Sequence, residues 1–381
     1  MEKSRWLALD YARGLAVLGM ILVVSPGSWI HRFEQLDHAN WNGWTLADLV
    51  MPLFLFCVGV AIAIKAFGDN KNDIDLLKCS KRTFFLILIG LALNWLESLS
   101  ISSIRIPGIL QRIAVCYFLA CLITYPIRKN NHVIMWLVIA LLSICFSNYI
   151  LMNWLVIGGN EFGELTFEQN LPAIIDRALF GVNHLWIWGK NEAGQVVYDP
   201  DGLLTTVFAT ANVLAGMLFF LLRKKLSVQN KRNYFTLTFA CAMLILFIAF
   251  LLNEHGILIN KKLWSISFTL LGMGFCMIVL LVFSLVPSIS QSFKYVANLN
   301  PLIVFGSNAI LAFSISIVML IYSGKPLSVL GELGIQTYVF EHVIRLIQEP
   351  YWASLFCALM VAFCIYLLLL PLHIKKIFIR L

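Results

Sequence analysis

Repeated long apolar runs are the feature that most constrains how this chain can fold. About ten of them follow one another, and each has about the 20 apolar residues that a helix needs to cross a hydrocarbon core. The runs lie near residues 7–25, 45–66, 83–99, 107–126, 133–152, 202–222, 234–252, 264–286, 301–322 and 351–372. We therefore predict an all-α integral membrane protein, a bundle of about ten transmembrane helices in a single domain, 1–381.

The composition leads to the same class of protein. Of the 381 residues, 60% are hydrophobic and 13% are charged, whereas a soluble domain has about 25% charged residues. Because so few charges cannot cover an aqueous surface, we expect membrane lipid around most of the chain. In a membrane protein, the net charge of +8 is explained by the basic residues that set the orientation of the spans. We therefore predict no nucleic-acid partner. The nine cysteines show no metal-ligand spacing, so we predict free thiols and no metal.

The basic residues predict the orientation of the spans. With the N-terminus in the cytoplasm, about two thirds of the Lys and Arg residues fall in cytoplasmic segments, as the positive-inside rule requires. An even number of spans then places both termini in the cytoplasm. Two long segments, 153–201 and 323–350, become loops on the opposite, outer side. Long loops of this kind are usually functional or disordered, and the aromatic residues of the first favour packing over disorder.

Ionisable residues inside the predicted spans are candidates for function. A charge at the bilayer centre costs at least ~2.5–3.5 kcal/mol, so it is rarely kept without a reason. Asp10 and Arg13 lie three residues apart on one helical face and can neutralise each other, either in a functional site or as a structural ion pair. Asp48 lies one turn into the second span, where the helix dipole also favours an acid.

His38 is the most informative histidine, because of its surroundings. It lies on the predicted outer side, where the chain re-enters the membrane, and it is followed closely by Asn40 and Trp41. An imidazole titrates near neutral pH, which suits a general base. Asp37, Asp48 or Asn40 could orient the ring, and the spacing does not choose among them.

A second polar cluster contains Arg105, Gln111 and Arg112. The two arginines are seven residues apart, so they share one face if a helix runs through both. Two guanidinium groups on one face suit a phosphate or carboxylate ligand. The alternative is that they mark the outer edge of the membrane.

Several runs of residues, in one order along most of the chain, together match one family. They are Leu9-Asp10-Tyr11-Ala12-Arg13-Gly14, the segment from His38 to Pro52, Arg105-Ile106-Pro107-Gly108-Ile109-Leu110-Gln111-Arg112, Asp176-Arg177, His184-Leu185, the segment from Tyr198 to Leu204, the segment from Asn260 to Ser265, and Asn308-Ala309. In this combination the chain resembles the heparan-α-glucosaminide N-acetyltransferase family. Its length resembles that of bacterial relatives in the cell inner membrane, where we expect a multi-pass protein.

The resemblance implies a transmembrane acetyltransferase. Acetyl-CoA from the cytoplasm would supply the acetyl group, and the amine of a glucosamine-type sugar or small glycan fragment on the periplasmic side would accept it. The active-site histidine of the family falls on His38. The candidate residues are then His38, Asp48 and Ser25 for catalysis, Arg13, Arg105, Gln111 and Arg112 for the cofactor, and Asp10, Trp41, His184 and Asp199 for the substrate.

One position departs from the pattern of the family. Val24 stands where the family has an Asn near the end of the first span, and Ser25 replaces it only if the backbone is turned. The loss of one oxyanion donor costs ~3–4 kcal/mol of barrier. Three alternatives therefore stay open: the protein acts on a different acceptor, it is a slow enzyme, or it is a non-catalytic member of the fold. A proton-linked sugar transporter that uses Asp10, Arg13 and Asp48 is a further alternative, and a homodimer is one oligomeric state that the sequence allows.

Overall fold

The computed structural model describes residues 6–68, 73–155, 165–227, 231–290, 299–326 and 334–379. Within these ranges the regular structure is helical, apart from isolated β-bridges. Parts of both predicted outer loops, 156–164 and 327–333, lie outside the described residues. The predicted all-α fold class is confirmed, whereas the side of the membrane on which each terminus lies stays a prediction.

The described residues form thirteen α-helices, which we number in chain order. They are α1 (Leu7–Val24), α2 (Leu46–Phe67), α3 (Leu76–Ser98), α4 (Ile109–Ile127), α5 (Val133–Asn153), α6 (Leu171–Phe180), α7 (Leu203–Ser227), α8 (Lys231–Glu254), α9 (Ile266–Ser290), α10 (Pro301–Ser307), α11 (Ala309–Ser323), α12 (Ile335–Ile347) and α13 (Pro350–Ile374). Eight of them are long and apolar enough to cross a membrane. They are α1, α2, α4, α5, α7, α8, α9 and α13.

Two of the ten predicted spans differ from a simple membrane-crossing helix. The third, α3, is helical, but its first two turns carry Lys78, Lys81 and Arg82. It is not among the eight helices that are long and apolar enough to cross a membrane. The ninth is broken at Asn308, where α10 and α11 meet at an angle of 95°. The side chain of Asn308 bonds the backbone of the C-terminal segment instead of its own helix, which stabilises the break.

One compact unit contains residues 1–39, 45–54 and 279–380. Within it, α1 packs closely on α10, because Gly14 has no side chain to hold them apart. A Cβ atom at Gly14 would lie 1.8 Å from the carbonyl oxygen of Leu302. Small residues at such crossings let helices in a membrane pack backbone to backbone. The predicted outer loop 323–350 contains α12, which packs on α13 around Val343 and Ala353.

The second compact unit contains residues 40–44 and 55–278. Its α4 and α5 both pack on α7, and α3 packs on α4. The predicted outer loop 153–201 contains α6 and a short 3₁₀ turn, Val182–His184. The Asn170 side chain accepts a hydrogen bond from Ala173 N and caps the start of α6. The described part of this loop is therefore folded.

Candidate active site

A histidine and a carboxylate form the centre of the candidate site in the first unit. His38 Nδ1 lies 2.8 Å from Asp48 Oδ1. The His38 side chain is 41% exposed, and that of Asp48 is 1% exposed. Because a carboxylate only accepts hydrogen bonds when ionised, the pairing puts the imidazole proton on Nδ1 and the lone pair on Nε2. This is the arrangement of a general base that an acid orients.

Asp48 is itself held by the first turn of α2. Its Oδ2 accepts hydrogen bonds from Thr45 N at 3.0 Å and Ala39 N at 3.2 Å. The Thr45 hydroxyl donates to the Asp37 carbonyl at 2.6 Å and lies 3.2 Å from Asp48 Oδ2. Together with the dipole of α2, these donors stabilise the negative charge on Asp48. Asp48 therefore both stabilises the helix start and contacts the imidazole ring, and its catalytic role stays a prediction.

Neighbouring candidates contribute differently. Asp37 Oδ1 accepts from Arg32 at 2.8 Å and from the backbone N of His38 at 2.7 Å, so it fixes the chain beside the ring. Ser25 is buried, and its hydroxyl makes no hydrogen bond to any described residue, so it does not bond His38. Its catalytic role stays a prediction. Thr45 was missed, although a Thr followed by an acid three residues later is a recognisable helix-start signal.

Asp10 and Arg13 lie within ion-pair distance, as their spacing suggests. Arg13 Nη1 is 3.7 Å from Asp10 Oδ1 and donates to the carbonyl of Gly306 at 3.3 Å, in the last turn of α10. Asp10 is buried, and Arg13 is partly buried. The pair thus contacts the broken span, and its assignment to cofactor or substrate stays a prediction.

Arg105 and Arg112 belong to an ion network in the second unit. Arg105 binds Asp199 through two bonds, Nε to Oδ2 at 2.8 Å and Nη2 to Oδ1 at 2.6 Å. Asp201 lies between the arginines, 3.0 Å from Arg105 Nη2 and 3.3 Å from Arg112 Nη1. No helix runs through both arginines, because α4 begins at Ile109 and excludes Arg105, so the condition for a shared helical face is not met. The two groups meet through the carboxylates instead.

Burial and neighbouring charges shift the pKa values of this network in opposite directions. Burial lowers the pKa of Arg105, but the charges of Asp199 and Asp201 outweigh that effect and raise it above its usual value. For Asp201, burial alone would raise the pKa. The positive charges of Arg112, Arg105 and Lys261 outweigh burial and bring the pKa of Asp201 below its usual value. These shifts favour the charged forms of Arg105 and Asp201, and an anionic ligand would have to displace a buried carboxylate. The assignment of these arginines to the cofactor stays a prediction.

Arg112 and Gln111 lie side by side on α4 in different environments. The Arg112 guanidinium donates to Pro200 O at 2.5 Å and Thr205 Oγ1 at 2.6 Å, and it lies 4.8 Å from the Trp264 ring centroid. Gln111 Nε2 is buried and has no hydrogen-bond partner in the part of the chain that the structure describes. Gln111 is thus the member of this cluster with a buried donor still to satisfy.

Asp176 adds an unusual carboxylate to the second unit. Its Oδ1 accepts from Leu203 N at 2.9 Å, at the start of α7, while its buried Oδ2 has no hydrogen-bond partner within the described ranges. Gly202 makes this approach possible, since a Cβ atom there would lie 1.7 Å from Oδ2. Burial raises the pKa of Asp176 to about 7. In the sequence, Asp176 stands out only as part of the Asp176-Arg177 motif.

Trp41 and His184 are both bound to backbone in the second unit. Trp41 Nε1 donates to Leu165 O at 2.8 Å, and its ring centroid lies 4.3 Å from that of Phe167 and 5.3 Å from that of Tyr198. His184 Nδ1 lies 2.7 Å from Ile104 O. Both side chains therefore fix backbone positions, and their substrate roles stay predictions.

The apolar helices and the His38–Asp48 pair define a multi-pass helical membrane protein with the groups of a general-base site. A family profile described as heparan-alpha-glucosaminide N-acetyltransferase, catalytic, matches residues 5–176. The chain is 30% identical to the heparan-alpha-glucosaminide N-acetyltransferase of Homo sapiens over 325 residues, which is 73% of this chain and 48% of that protein. The Mus musculus protein of the same name is 30% identical over 334 residues, 73% of this chain and 49% of that protein.

The chain is therefore similar to the heparan-α-glucosaminide N-acetyltransferase family, over residues 5–176 by the family profile and over 73% of its length by the curated relatives. It spans about half the length of the curated relatives that it matches. The resemblance to this family that the sequence motifs indicated is thereby confirmed, and the profile match includes His38 and Asp48.

Proposed function

We propose that this protein transfers an acetyl group from acetyl-CoA to the amine of a glucosamine-type sugar, with His38 as the general base. The observation that most supports this is the 2.8 Å contact of His38 Nδ1 with the buried Asp48 carboxylate. Similarity to this family supports the reaction class, since the curated relatives carry the name of an N-acetyltransferase.

In this proposal, Nε2 of His38 accepts a proton from the ammonium group of the sugar. The freed nitrogen attacks the acetyl carbonyl carbon, so that a C–N bond forms and the C–S bond of the thioester breaks. His38 returns its proton to the departing thiolate, and the second proton lost by the nitrogen passes to solvent. Asp48 stabilises the imidazolium that forms between these steps. A route in which Nε2 itself accepts the acetyl group uses the same pair of residues.

The oxyanion of the tetrahedral intermediate needs hydrogen-bond donors. Val24 has none, and the buried hydroxyl of Ser25 beside it has no partner in the described structure. We therefore assign Ser25 to this role, which leaves the acetyl transfer slower than with a fixed amide donor. Arg13, Arg105, Gln111 and Arg112 remain our candidates for holding the cofactor.

The proposed sidedness rests on the distribution of charge. The excess of Lys and Arg on one side favours cytoplasmic termini, and His38 is then on the periplasmic side of a cell inner membrane. Acetyl-CoA enters from the cytoplasm in this scheme, and the sugar is bound from the periplasm.

Purified protein with labelled acetyl-CoA and glucosamine tests the proposal. We expect labelled N-acetylglucosamine from the wild type and none from His38→Ala. His255→Ala is the matched control, because His255 is an exposed histidine that bonds only the carbonyl of Leu251 in the described structure. Label retained on His38 when no sugar is present would indicate the covalent route. Wild-type protein that forms no acetylated product with any amino sugar would refute the proposal.

One observation favours the transporter alternative, namely the span broken at Asn308. Broken helices line the substrate sites of many transporters, where they usually occur in related pairs. The described residues contain a single such pair of bent helices, so the observation carries less weight than the His38–Asp48 pair. Uptake of labelled glucosamine into proteoliposomes without acetylation would favour transport.

A further inference from the structure

A cavity of about 740 Å³ lies in the folded part of the outer loop of the second unit. Ligand pockets in proteins usually have volumes of about 300–1,000 Å³. Its apolar wall includes Leu185 and Val197, which are both buried. Its polar side chains are those of Ser103, Glu168, Arg177, Asn183 and Gln195. None of these residues belongs to the proposed catalytic or cofactor groups.

The neutral polar side chains of this cavity have hydrogen-bonding capacity left over. Ser103, Asn183 and Gln195 make no side-chain hydrogen bond to any described residue, and Asn183 and Gln195 are exposed. An amide group and a hydroxyl can each donate and accept, as the hydroxyl groups of a sugar can. The apolar wall beside them suits the C–H faces of a sugar ring.

The two charged residues of the cavity also keep hydrogen-bonding groups available. Arg177 donates to Val197 O at 2.6 Å and to Glu168 O at 2.8 Å, which uses two of its five N–H groups. Glu168 Oε1 accepts from the side chain of Asn191, whereas Oε2 accepts no hydrogen bond from the described residues, and the charge of the carboxylate also acts on Arg177. The cavity therefore offers one carboxylate oxygen to a cation and several donors to hydroxyl oxygens.

The wall that carries Glu168 is held by aromatic packing. Phe167 precedes it and packs against Trp41, whose indole N–H binds Leu165 O. Tyr198 closes the same cluster, with its ring centroid 5.7 Å from that of Phe167. A binding group on a braced segment of this kind loses little entropy when a ligand binds.

We infer that this cavity binds an amino sugar, with the ammonium on Glu168 and the ring hydroxyls on Arg177, Asn183 and Gln195. One carboxylate and one guanidinium give no net positive charge, so a multiply charged phosphate is a poor fit. That the sugar is the acetyl acceptor rests on the proposed function. The binding site itself does not depend on it.

Binding of glucosamine, glucose and glucuronate to the full-length protein in lipid nanodiscs tests this inference, with saturation-transfer NMR as the readout. We expect glucosamine to bind most tightly. Glu168→Gln should raise its dissociation constant roughly ten-fold or more and leave that of glucose within about two-fold. Gln195→Ala should raise both dissociation constants by about two- to ten-fold, since it removes hydrogen bonds to hydroxyl groups.

Glu192→Gln is the matched control, because Glu192 is exposed in the same loop and does not line the cavity. We expect no change in glucosamine binding from it. Unchanged glucosamine binding in both Glu168→Gln and Gln195→Ala would overturn the inference, and so would tighter binding of glucuronate than of glucosamine. Acetyl transfer with an unchanged KM in both variants contradicts the assignment of the acetyl acceptor to this cavity and leaves the proposed function intact. Binding as expected without acetyl transfer contradicts the function and leaves the site intact.

Discussion

Replacement of Asp48 by Asn separates the chemistry of the candidate site from its fold. The amide keeps an oxygen that can accept the bonds now made by Thr45 N and Ala39 N, so the start of α2 survives. The lost charge–dipole interaction costs about 0.3–1 kcal/mol, and more where the group is buried. Facing His38 Nδ1, however, the amide can present an N–H group. This puts the imidazole proton on Nε2 and removes the lone pair that the reaction needs.

The expected loss in kcat for Asp48→Asn is about 10³–10⁴-fold, as for other bases whose tautomer is inverted, or about 4–5 kcal/mol of barrier. Single-turnover acetyl transfer to glucosamine measures it, and thermal unfolding in detergent checks the fold. Asp37→Asn is the control, because Asp37 lies beside His38 and binds Arg32 and the backbone but not the ring. Activity of Asp48→Asn within ten-fold of wild type, with a normal unfolding temperature, would refute the role of Asp48 as the orienting acid.

Two further predictions concern the second unit. Asp176 has a pKa of about 7 in the fold against about 3.9 in an unfolded chain, so its contribution to stability is complete below pH 4 and is lost as pH rises towards 7. Between pH 4 and 7 the unfolding free energy of the wild type should therefore fall, relative to that of Asp176→Asn, by up to about 1.4 kcal/mol per pH unit. Unfolding free energies of the two proteins that change in parallel with pH would contradict this. Arg105→Lys loses the two-bond contact with Asp199 and should destabilise the protein by about 2 kcal/mol in thermal unfolding, whereas Arg345→Lys on the exposed face of α12 should change stability by less than about 0.5 kcal/mol.

The sequence predicts those parts of the molecule that local patterns determine. The long apolar runs locate the helices to within a few residues for most spans, because burial in lipid requires about 20 consecutive apolar residues. The break at Asn308 escapes such a pattern, since a single Asn in an apolar run is compatible with an unbroken helix. At the bend, Asn308 donates a hydrogen bond to Ile377 O and accepts one from Ile379 N, and these partners lie 69 and 71 residues further along the chain.

The same division applies to the polar groups. The proximity of His38 to Asp48 was one of three open choices, and the helix start at Thr45 decides it by bringing Asp48 back towards the ring. The sequence spacing leaves ligand binding and the membrane edge open for Arg105 and Arg112. It does not indicate their acidic partners, Asp199 and Asp201, which lie more than 85 residues further along the chain, beyond the range of any helical spacing. Buried arginines in a membrane protein need acidic partners, and the acidic residues of segment 153–201 are the signal for them in the sequence.

Asp48 divides its two oxygens between folding and chemistry. Oδ2 accepts hydrogen bonds from the backbone of Thr45 and Ala39, while Oδ1 faces the imidazole. The position of the ring is therefore set by the start of a buried helix and not by a mobile loop, although His38 itself lies outside the helix and is exposed. Because a base must hold its lone pair within a fraction of an ångström of the reacting atom, this placement allows an exposed histidine to act with a defined geometry. This anchoring leads to a prediction about α2. Substitutions that shift its first turn should lower the rate of acetyl transfer, even when they leave every charge in place.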